Sequence, residues 1–182
     1  MLFEPTDIPE VLLFKPAVHG DERGFFLETF RSDVFARSGI AGHFVQDNHS
    51  GSRQGTLRGL HYQIRQGQGK LVRAIAGEIF DVAVDLRRNS PTFGRWVGVR
   101  LSAENKHQVW IPIGFAHGVY VLSVWAELLY KTTDYYAPEW ERTLQWNDPA
   151  LGIEWPLLNG QPPILSEKDA HGKYLSEADL FE

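Results

Sequence analysis

The 182-residue chain contains no cysteine. Disulfide bonds, thiolate metal ligands and a cysteine nucleophile are therefore excluded. The lack of cysteine also favours a reducing compartment, since extracellular domains of this size commonly carry disulfides.

Long apolar runs and an excess of basic charge are also missing. Residues 119–126 form the longest apolar stretch, far short of the roughly 18 residues of a membrane span. The opening MLFEPTDIPEV has acidic residues and prolines, where a signal peptide would have a basic end and an apolar run. The formal net charge of -5 offers no basic face for nucleic acid. We expect a soluble, cytoplasmic protein that binds neither nucleic acid nor membrane.

The chain does contain a series of short β-type segments. They are rich in Val, Ile, Phe, Trp and Tyr and are separated by Gly, Pro, Asn or Asp. These segments are residues 25–30, 57–64, 70–86, 95–102, 107–113 and 117–133. The pattern predicts one all-β domain over residues 1–182, built as a sandwich or barrel.

Helix is predicted in only two places. Residues 31–39 have Ser32 or Asp33 as a candidate N-cap and Gly39 as a stop signal. Residues 167–181 are predicted to hold a last short helix.

Within residues 70–86 the pair Gly77-Glu78 predicts a hairpin turn. The strand that follows alternates apolar residues with Asp81, Ala83 and Asp85, so one of its faces is acidic.

Other predicted strands also carry polar residues where a core would be apolar. Residues 57–64 include Arg58, His61 and Gln63, and the next segment includes Lys70 and Arg73. Burying a charge is costly unless a partner or ligand compensates it. A polar barrel interior that binds a ligand is therefore predicted.

The register of the strand at 57–63 is ambiguous. Regular alternation places Arg58 and His61 on opposite faces. Gly55 and Gly59 permit a bulge that would bring them to the same face.

Part of this segment resembles the metal-binding pattern of cupins, which are jelly rolls. Gly55 precedes His61 by six positions, and the later half of the pattern is matched by Pro112, Gly114 and His117. Gln63 stands where the second histidine would be, and residues 64–70 contain no acidic ligand. Two histidines make a poor metal site. We therefore expect no metal, while the partial match favours a jelly roll.

A second resemblance is much closer and runs from about residue 8 to about residue 180. The motifs, in order, are GDERGFFLETF (20–30), FVQDNHS (44–50), LRGLHYQ (57–63), QGKLVR (68–73), GEIFDVAVDLRRNSPTFG (77–94), LSAENKHQVWIPIGFAHG (101–118), ELLYKTTDYY (127–136) and LSEKD (165–169). They are similar to those of the dTDP-4-dehydrorhamnose 3,5-epimerases of dTDP-L-rhamnose synthesis. The resemblance implies a cupin-type jelly roll with a few short helices, and a homodimer whose N-terminal segment crosses to the partner.

The family's reaction is proton exchange at carbons 3 and 5 of a 4-keto-6-deoxyhexose carried on dTDP. The ketone itself makes the neighbouring protons acidic, so the resemblance implies that no cofactor is needed. It assigns His61 as the base, Asp169 as its carboxylate partner and Tyr130 as the acid on the opposite face. Lys70 is the natural stabiliser of the enolate oxygen.

The resemblance also implies the substrate-binding residues. Arg23, Arg58 and Lys168 correspond to diphosphate contacts, since bidentate arginine suits phosphate oxygens. Positions that line the sugar or nucleoside are Glu28, Gln46, Asp47, Asn48 and Glu141. Tyr136, or the adjacent Tyr135, is expected to stack on thymine. His117 is expected either to stabilise the enolate oxygen together with Lys70 or to contact the sugar.

Two alternatives remain open from the sequence. One is a related single-site epimerase or a ketoisomerase acting on a dTDP-4-keto-6-deoxyhexose. The other is a non-catalytic sugar-nucleotide binding module or a metal-dependent cupin.

Overall fold

The computed structural model describes residues 2–40 and 43–182. In chain order its elements are β1 (Leu2–Pro5), β2 (Leu12–Lys15), β3 (Val18–Asp21), β4 (Gly24–Leu27), α1 (Ser32–Arg37), β5 (Gln46–Arg53), β6 (Leu57–Gln63), β7 (Lys70–Ala76), β8 (Glu78–Asp85), β9 (Trp96–Ser102), β10 (Gln108–Ile111), β11 (Phe115–Val121), β12 (Trp125–Thr132), β13 (Glu141–Thr143) and α2 (Glu167–Ala170). Short 3-10 turns lie at Pro138–Trp140, Leu158–Gly160 and Leu175–Glu177.

The strands form two main antiparallel sheets and one separate hairpin. The six-stranded sheet has the order β1-β2-β10-β7-β12-β5, and the five-stranded sheet has the order β13-β6-β11-β8-β9. Strands β3 and β4 pair only with each other. The expected all-β jelly roll with little helix is confirmed.

The prediction of a hairpin at Gly77 is wrong. Strand β7 pairs with β10 and β12, whereas β8 pairs with β9 and β11 in the other sheet. Gly77 has a φ of 66°, and a Cβ at this position would lie 2.0 Å from the carbonyl oxygen of Trp125. The glycine therefore allows a tight crossing from one sheet to the other.

An apolar core fills the space between the two sheets. Its fully buried members include Val72, Ile79, Leu101 and Val109, each worth about 1.5–3 kcal/mol of burial. The acidic face of β8 points into the same interior, where Asp81 and Asp85 are buried. The acidic face was predicted from the alternation, and the structure shows that it faces inward.

Two further clusters cover the outer faces of the sheets. The C-terminal residues pack on the five-stranded sheet, with Leu144 and Leu151 against Leu60 and Val82. On the six-stranded sheet, Phe35 of α1 packs on the β1–β2–β10 end within a group of aromatic rings.

Helix α1 lies where it was predicted, but the N-cap prediction is wrong. The cap is Arg31, whose backbone is extended, with a φ of −147°. Asp33 instead lies in the first turn, where it accepts hydrogen bonds from Arg31 and Arg37. Gly39 follows the helix with a φ of 84°, as predicted. None of the helices among the described residues is long and apolar enough to cross a membrane.

A bulge in β6 decides which side chains face the interior. His61 pairs with His117 and Arg58 pairs with Val119 on β11. The two pairs are therefore three residues apart on β6 but two residues apart on β11. Gly59 has a φ of 128°, and a Cβ there would lie 2.5 Å from the Cα of Gly118. The extra residue brings Arg58 and His61 to the same side.

Gly59→Ala should lower the free energy of unfolding by about 1–3 kcal/mol, because alanine meets both a strained φ and the neighbouring backbone. Urea unfolding at fixed protein concentration measures this loss. Gly20→Ala is the control, since its nearest atom would be 3.6 Å away at an ordinary φ. Equal stability of the two variants would show that β6 accommodates a side chain at the bulge.

Candidate active site

A cavity of about 450 Å³ opens between the two sheets. Of the fourteen residues assigned to catalysis or substrate binding from the sequence, eleven line it: Gln46, Asn48, Arg58, His61, Lys70, His117, Tyr130, Tyr136, Glu141, Lys168 and Asp169. Both sheets and the C-terminal helix α2 contribute to its walls. The predicted polar interior is thus a single site.

Three predicted residues lie away from this cavity. Arg23 is at the tip of the β3–β4 hairpin, where its side chain is 85% exposed and pairs with Asp21. Glu28 follows β4 and lies 3.8 Å from Arg31. Asp47 faces the opposite side of β5 from Gln46 and Asn48, and it accepts a hydrogen bond of 2.9 Å from Lys131. A single chain does not bring these three side chains to the site.

His61 is paired with a buried carboxylate. Its Nε2 lies 2.6 Å from Oδ1 of Asp169. Asp169 also accepts a 2.6 Å hydrogen bond from the Ser166 hydroxyl and a 3.3 Å hydrogen bond from the Gly59 backbone N–H. Burial acts to raise the pKa of Asp169, but the hydrogen bonds from His61, Ser166 and Gly59 lower it to about 2. The carboxylate is therefore ionised at neutral pH.

This pairing fixes the tautomer of His61. An ionised carboxylate can only accept hydrogen bonds, so Nε2 of His61 carries the proton. The lone pair of a neutral His61 is then on Nδ1. An imidazole in this state is a base, and the adjacent carboxylate stabilises the imidazolium that forms.

A second histidine in the cavity has the same arrangement. Nε2 of His117 lies 2.9 Å from Oδ2 of Asp81, and Asp81 is 1% exposed. His117 is directly opposite His61 on the neighbouring strand. The sequence marked Asp81 only as part of an acidic strand face, and its histidine partner could not be predicted.

Lys70 is buried at the start of β7. Its Nζ donates to the carbonyl oxygen of His61 at 3.3 Å. Burial lowers the pKa of Lys70 to about 8, although the nearby carboxylates of Asp81 and Glu141 act in the opposite direction. The cavity therefore holds an ammonium group that remains charged at neutral pH.

Tyr130 enters from β12, in the sheet that faces the two histidines. Its side chain is partly buried, and this burial raises the pKa of its hydroxyl. The hydroxyl therefore keeps its proton at neutral pH. His61 and Tyr130 come from opposite sheets.

Glu141 connects two groups at the cavity mouth. It lies 2.9 Å from Lys168 and accepts a 3.0 Å hydrogen bond from the hydroxyl of Tyr136. Burial acts to raise the pKa of Glu141, but the contacts with Lys168 and Tyr136 lower it below its usual value. Tyr136 lines the cavity, whereas Tyr135 does not.

Sequence reasoning missed several lining residues, namely Ser50, Gln68, Val119, Leu128 and Ser166. Ser166 caps α2 by accepting the N–H of Asp169, and the spacing Ser-x-x-Asp is a recognisable capping signal. The other four carry no such signal. Across residues 2–40 and 43–182, no three His, Asp or Glu side chains converge as a metal-ligand set.

The jelly roll and its proton-transfer cavity define a cupin-type isomerase. A family model described as dTDP-4-dehydrorhamnose 3,5-epimerase matches residues 5–177, and the chain belongs to this family. It is 64% identical over 177 residues to a dTDP-4-dehydrorhamnose 3,5-epimerase of Pseudomonas aeruginosa, covering 96% of each chain. The expected family, fold and enzyme class are confirmed.

Solved structures agree with this assignment. A dTDP-6-deoxy-D-glucose-3,5-epimerase of Legionella pneumophila, in complex with dTDP-4-keto-L-rhamnose, matches with a TM-score of 0.94 and 55% identity, covering 98% of this chain and 94% of that one. A 3'-monoepimerase of Streptomyces bikiniensis, in complex with dTDP-quinovose, matches with a TM-score of 0.87 and 36% identity, covering 94% and 87%.

The activity should fall as pH rises through about 8, because Lys70 loses its charge there. Asp81→Asn should move this alkaline limb to lower pH, since the Asp81 carboxylate favours the charged lysine. The profile of kcat/KM from pH 6 to 10 measures both effects. The other titratable groups of the cavity are Arg58, His61, His117, Tyr130, Tyr136, Glu141, Lys168 and Asp169.

Glu154→Gln is the matched control for this experiment, because Glu154 is exposed and outside the cavity. An alkaline limb that stays in place in Asp81→Asn would assign the limb to a group other than Lys70.

Proposed function

We propose that the protein converts dTDP-4-dehydro-6-deoxy-α-D-glucose into dTDP-4-dehydro-β-L-rhamnose by exchanging protons at carbons 3 and 5. The observation that carries the proposal is the placement of a carboxylate-backed base and a protonated tyrosine on opposite walls of one cavity. The family to which the chain belongs supplies the identity of the sugar nucleotide.

Proton removal requires a base beside the carbon next to the ketone. His61 is suited to this step, because its Nδ1 is the nitrogen without a proton and Asp169 stabilises the resulting imidazolium. Imidazole changes its protonation state near neutral pH, which suits both removal and return of a proton. Asp169 acts through His61 and does not itself need to take up a proton.

The negative charge that develops on the enolate oxygen needs a positive or hydrogen-bonding partner. Lys70 supplies an ammonium group that is itself buried, and the electrostatic effect of a buried charge is stronger than in water. A neutral His117 donates its Nε2 proton to Asp81, which leaves its lone pair on Nδ1. We therefore assign Lys70 to stabilise the enolate oxygen and His117 to bind a sugar hydroxyl.

Inversion requires the new proton to arrive from the other face of the sugar. Tyr130 lies on the sheet opposite His61, and its raised pKa keeps a proton available. We assign Tyr130 as the acid at carbon 5.

The nucleotide is expected at the mouth of the cavity. We assign Arg58 and Lys168 to the diphosphate, and Tyr136 to stacking on thymine. Sugar and nucleoside contacts are assigned to Gln46, Asn48 and Glu141. Arg58 is held by a 2.9 Å hydrogen bond to Ser52.

The enzyme is proposed to act as a homodimer in which the β3–β4 hairpin crosses to the partner's cavity. Phe25 and Phe26 on this hairpin are 61% and 72% exposed, and exposed adjacent aromatics indicate an interaction surface. Crossing would bring Arg23 and Glu28 to the partner's nucleotide. The cytoplasmic location and the lack of nucleic-acid partners stay predictions from composition.

Incubation with dTDP-4-dehydro-6-deoxy-D-glucose in heavy water should place deuterium at both carbons 3 and 5. NMR reads the label, and reduction of the product should give the L-rhamno configuration. Label at one carbon would instead identify a single-site epimerase like the Streptomyces bikiniensis neighbour. A shifted carbonyl would identify a ketoisomerase, and binding without exchange would identify a binding module.

Tyr130→Phe keeps the packing of the ring and removes the proton donor. We expect deuterium exchange at carbon 3 to survive while inversion at carbon 5 fails. His61→Asn is the comparison variant and should cost about 10²–10⁴ in rate. Normal inversion at carbon 5 by Tyr130→Phe would remove the tyrosine from this role.

A further inference from the structure

Gln63 lies two residues after His61, at the end of β6. Its side chain is 4% exposed and is absent from the cavity wall. The family reaction as described above gives it no task. A buried amide needs hydrogen-bond partners, so its contacts indicate what it does.

The amide of Gln63 holds the backbone on both sides of Tyr136. Nε2 donates to the carbonyl oxygen of Tyr135 at 3.2 Å and to that of Gln66 at 2.7 Å. Oε1 accepts the backbone N–H of Ala137 at 2.8 Å. A primary amide supplies two donors and an acceptor, and here all three are used.

Tyr136 is held in two further ways. Its own backbone N–H donates to Oε1 of Gln46 at 3.0 Å, and its hydroxyl donates to Glu141. The residue nonetheless remains 53% exposed and lines the cavity. The backbone of Tyr136 is thus fixed while its side chain stays accessible.

We propose that Gln63 is a positioning residue that sets Tyr136 against the thymine ring of the substrate. The Gln63 amide links the loop that carries Tyr136 to β6, the strand that carries His61. The Tyr136 ring and the His61 imidazole therefore keep a fixed separation. Because Tyr136 is already positioned before the nucleotide binds, less conformational entropy is lost on binding. The inference rests on the stacking role given to Tyr136 under Proposed function.

The first measurement is the affinity for dTDP alone, by calorimetry, in Gln63→Leu and Gln63→Glu. Leucine removes all three hydrogen bonds. Glutamate keeps an acceptor for Ala137 and loses both donors, and it serves as the second variant if leucine prevents folding. The dTDP Kd and the substrate KM should rise roughly 5- to 100-fold, the range for losing one stacked base, while kcat changes less than about threefold.

A double-variant comparison shows whether Gln63 acts through Tyr136. In a Tyr136→Ala background, Gln63→Leu should change the dTDP Kd by less than about twofold, because coupled residues are not additive. Gln145→Leu is the matched control, since within residues 2–40 and 43–182 its amide donates only to Asn147. It should leave affinity and kcat unchanged.

Each other outcome overturns the inference in a different way. Additive effects would show that Gln63 does not act through Tyr136, and a fall in kcat with unchanged Kd would place its effect on the catalytic strand. If Tyr136→Ala leaves dTDP affinity intact, the stacking role in the proposed function fails as well. If Tyr136→Ala weakens binding and Gln63→Leu does not, only the positioning role fails.

Discussion

The structure depends on the pairing of charges in the gap between its two sheets. A carboxylate buried without a partner is strongly destabilising. Asp169 and Asp81 are 3% and 1% exposed, and each lies within hydrogen-bond distance of one histidine. These hydrogen bonds offset the cost of burying the two carboxylates, and they also fix the tautomers of the two imidazoles. The stability of the site and its chemistry therefore depend on the same contacts.

This requirement connects distant parts of the chain. Asp169 is 108 positions from His61 and arrives on α2, within the C-terminal segment that covers the five-stranded sheet. Ser166 and the Gly59 N–H then hold the carboxylate from two sides. The bulge at Gly59 therefore both turns Arg58 inward and supplies a donor to Asp169. The His61–Asp169 contact therefore depends on the packing of the C-terminal segment.

The sequence predicted the local features and missed those that depend on distant partners. Alternation identified the acidic face of β8, and the six predicted segments overlap β4 and the strands from β6 to β12. The prediction at Gly77 was wrong because the same local turn residues occur in a hairpin and in a crossing between sheets. The segments did not include β1, β2, β3, β5 or β13. In β5 the polar residues face the cavity on one side and the outer surface on the other, so the strand has no apolar alternation. The pairing of His61 with Asp169 came only from resemblance, since no local pattern spans such a distance.

The two-sheet architecture places chemically different side chains on opposite walls of one cavity. A single side chain cannot both remove a proton from one face of a sugar and deliver one to the other. The five-stranded sheet presents His61, and the six-stranded sheet presents Lys70 and Tyr130. The close-packed core between the sheets fixes the separation of these walls, so the distance between His61 and Tyr130 is set by the packing of the core as well as by the cavity itself.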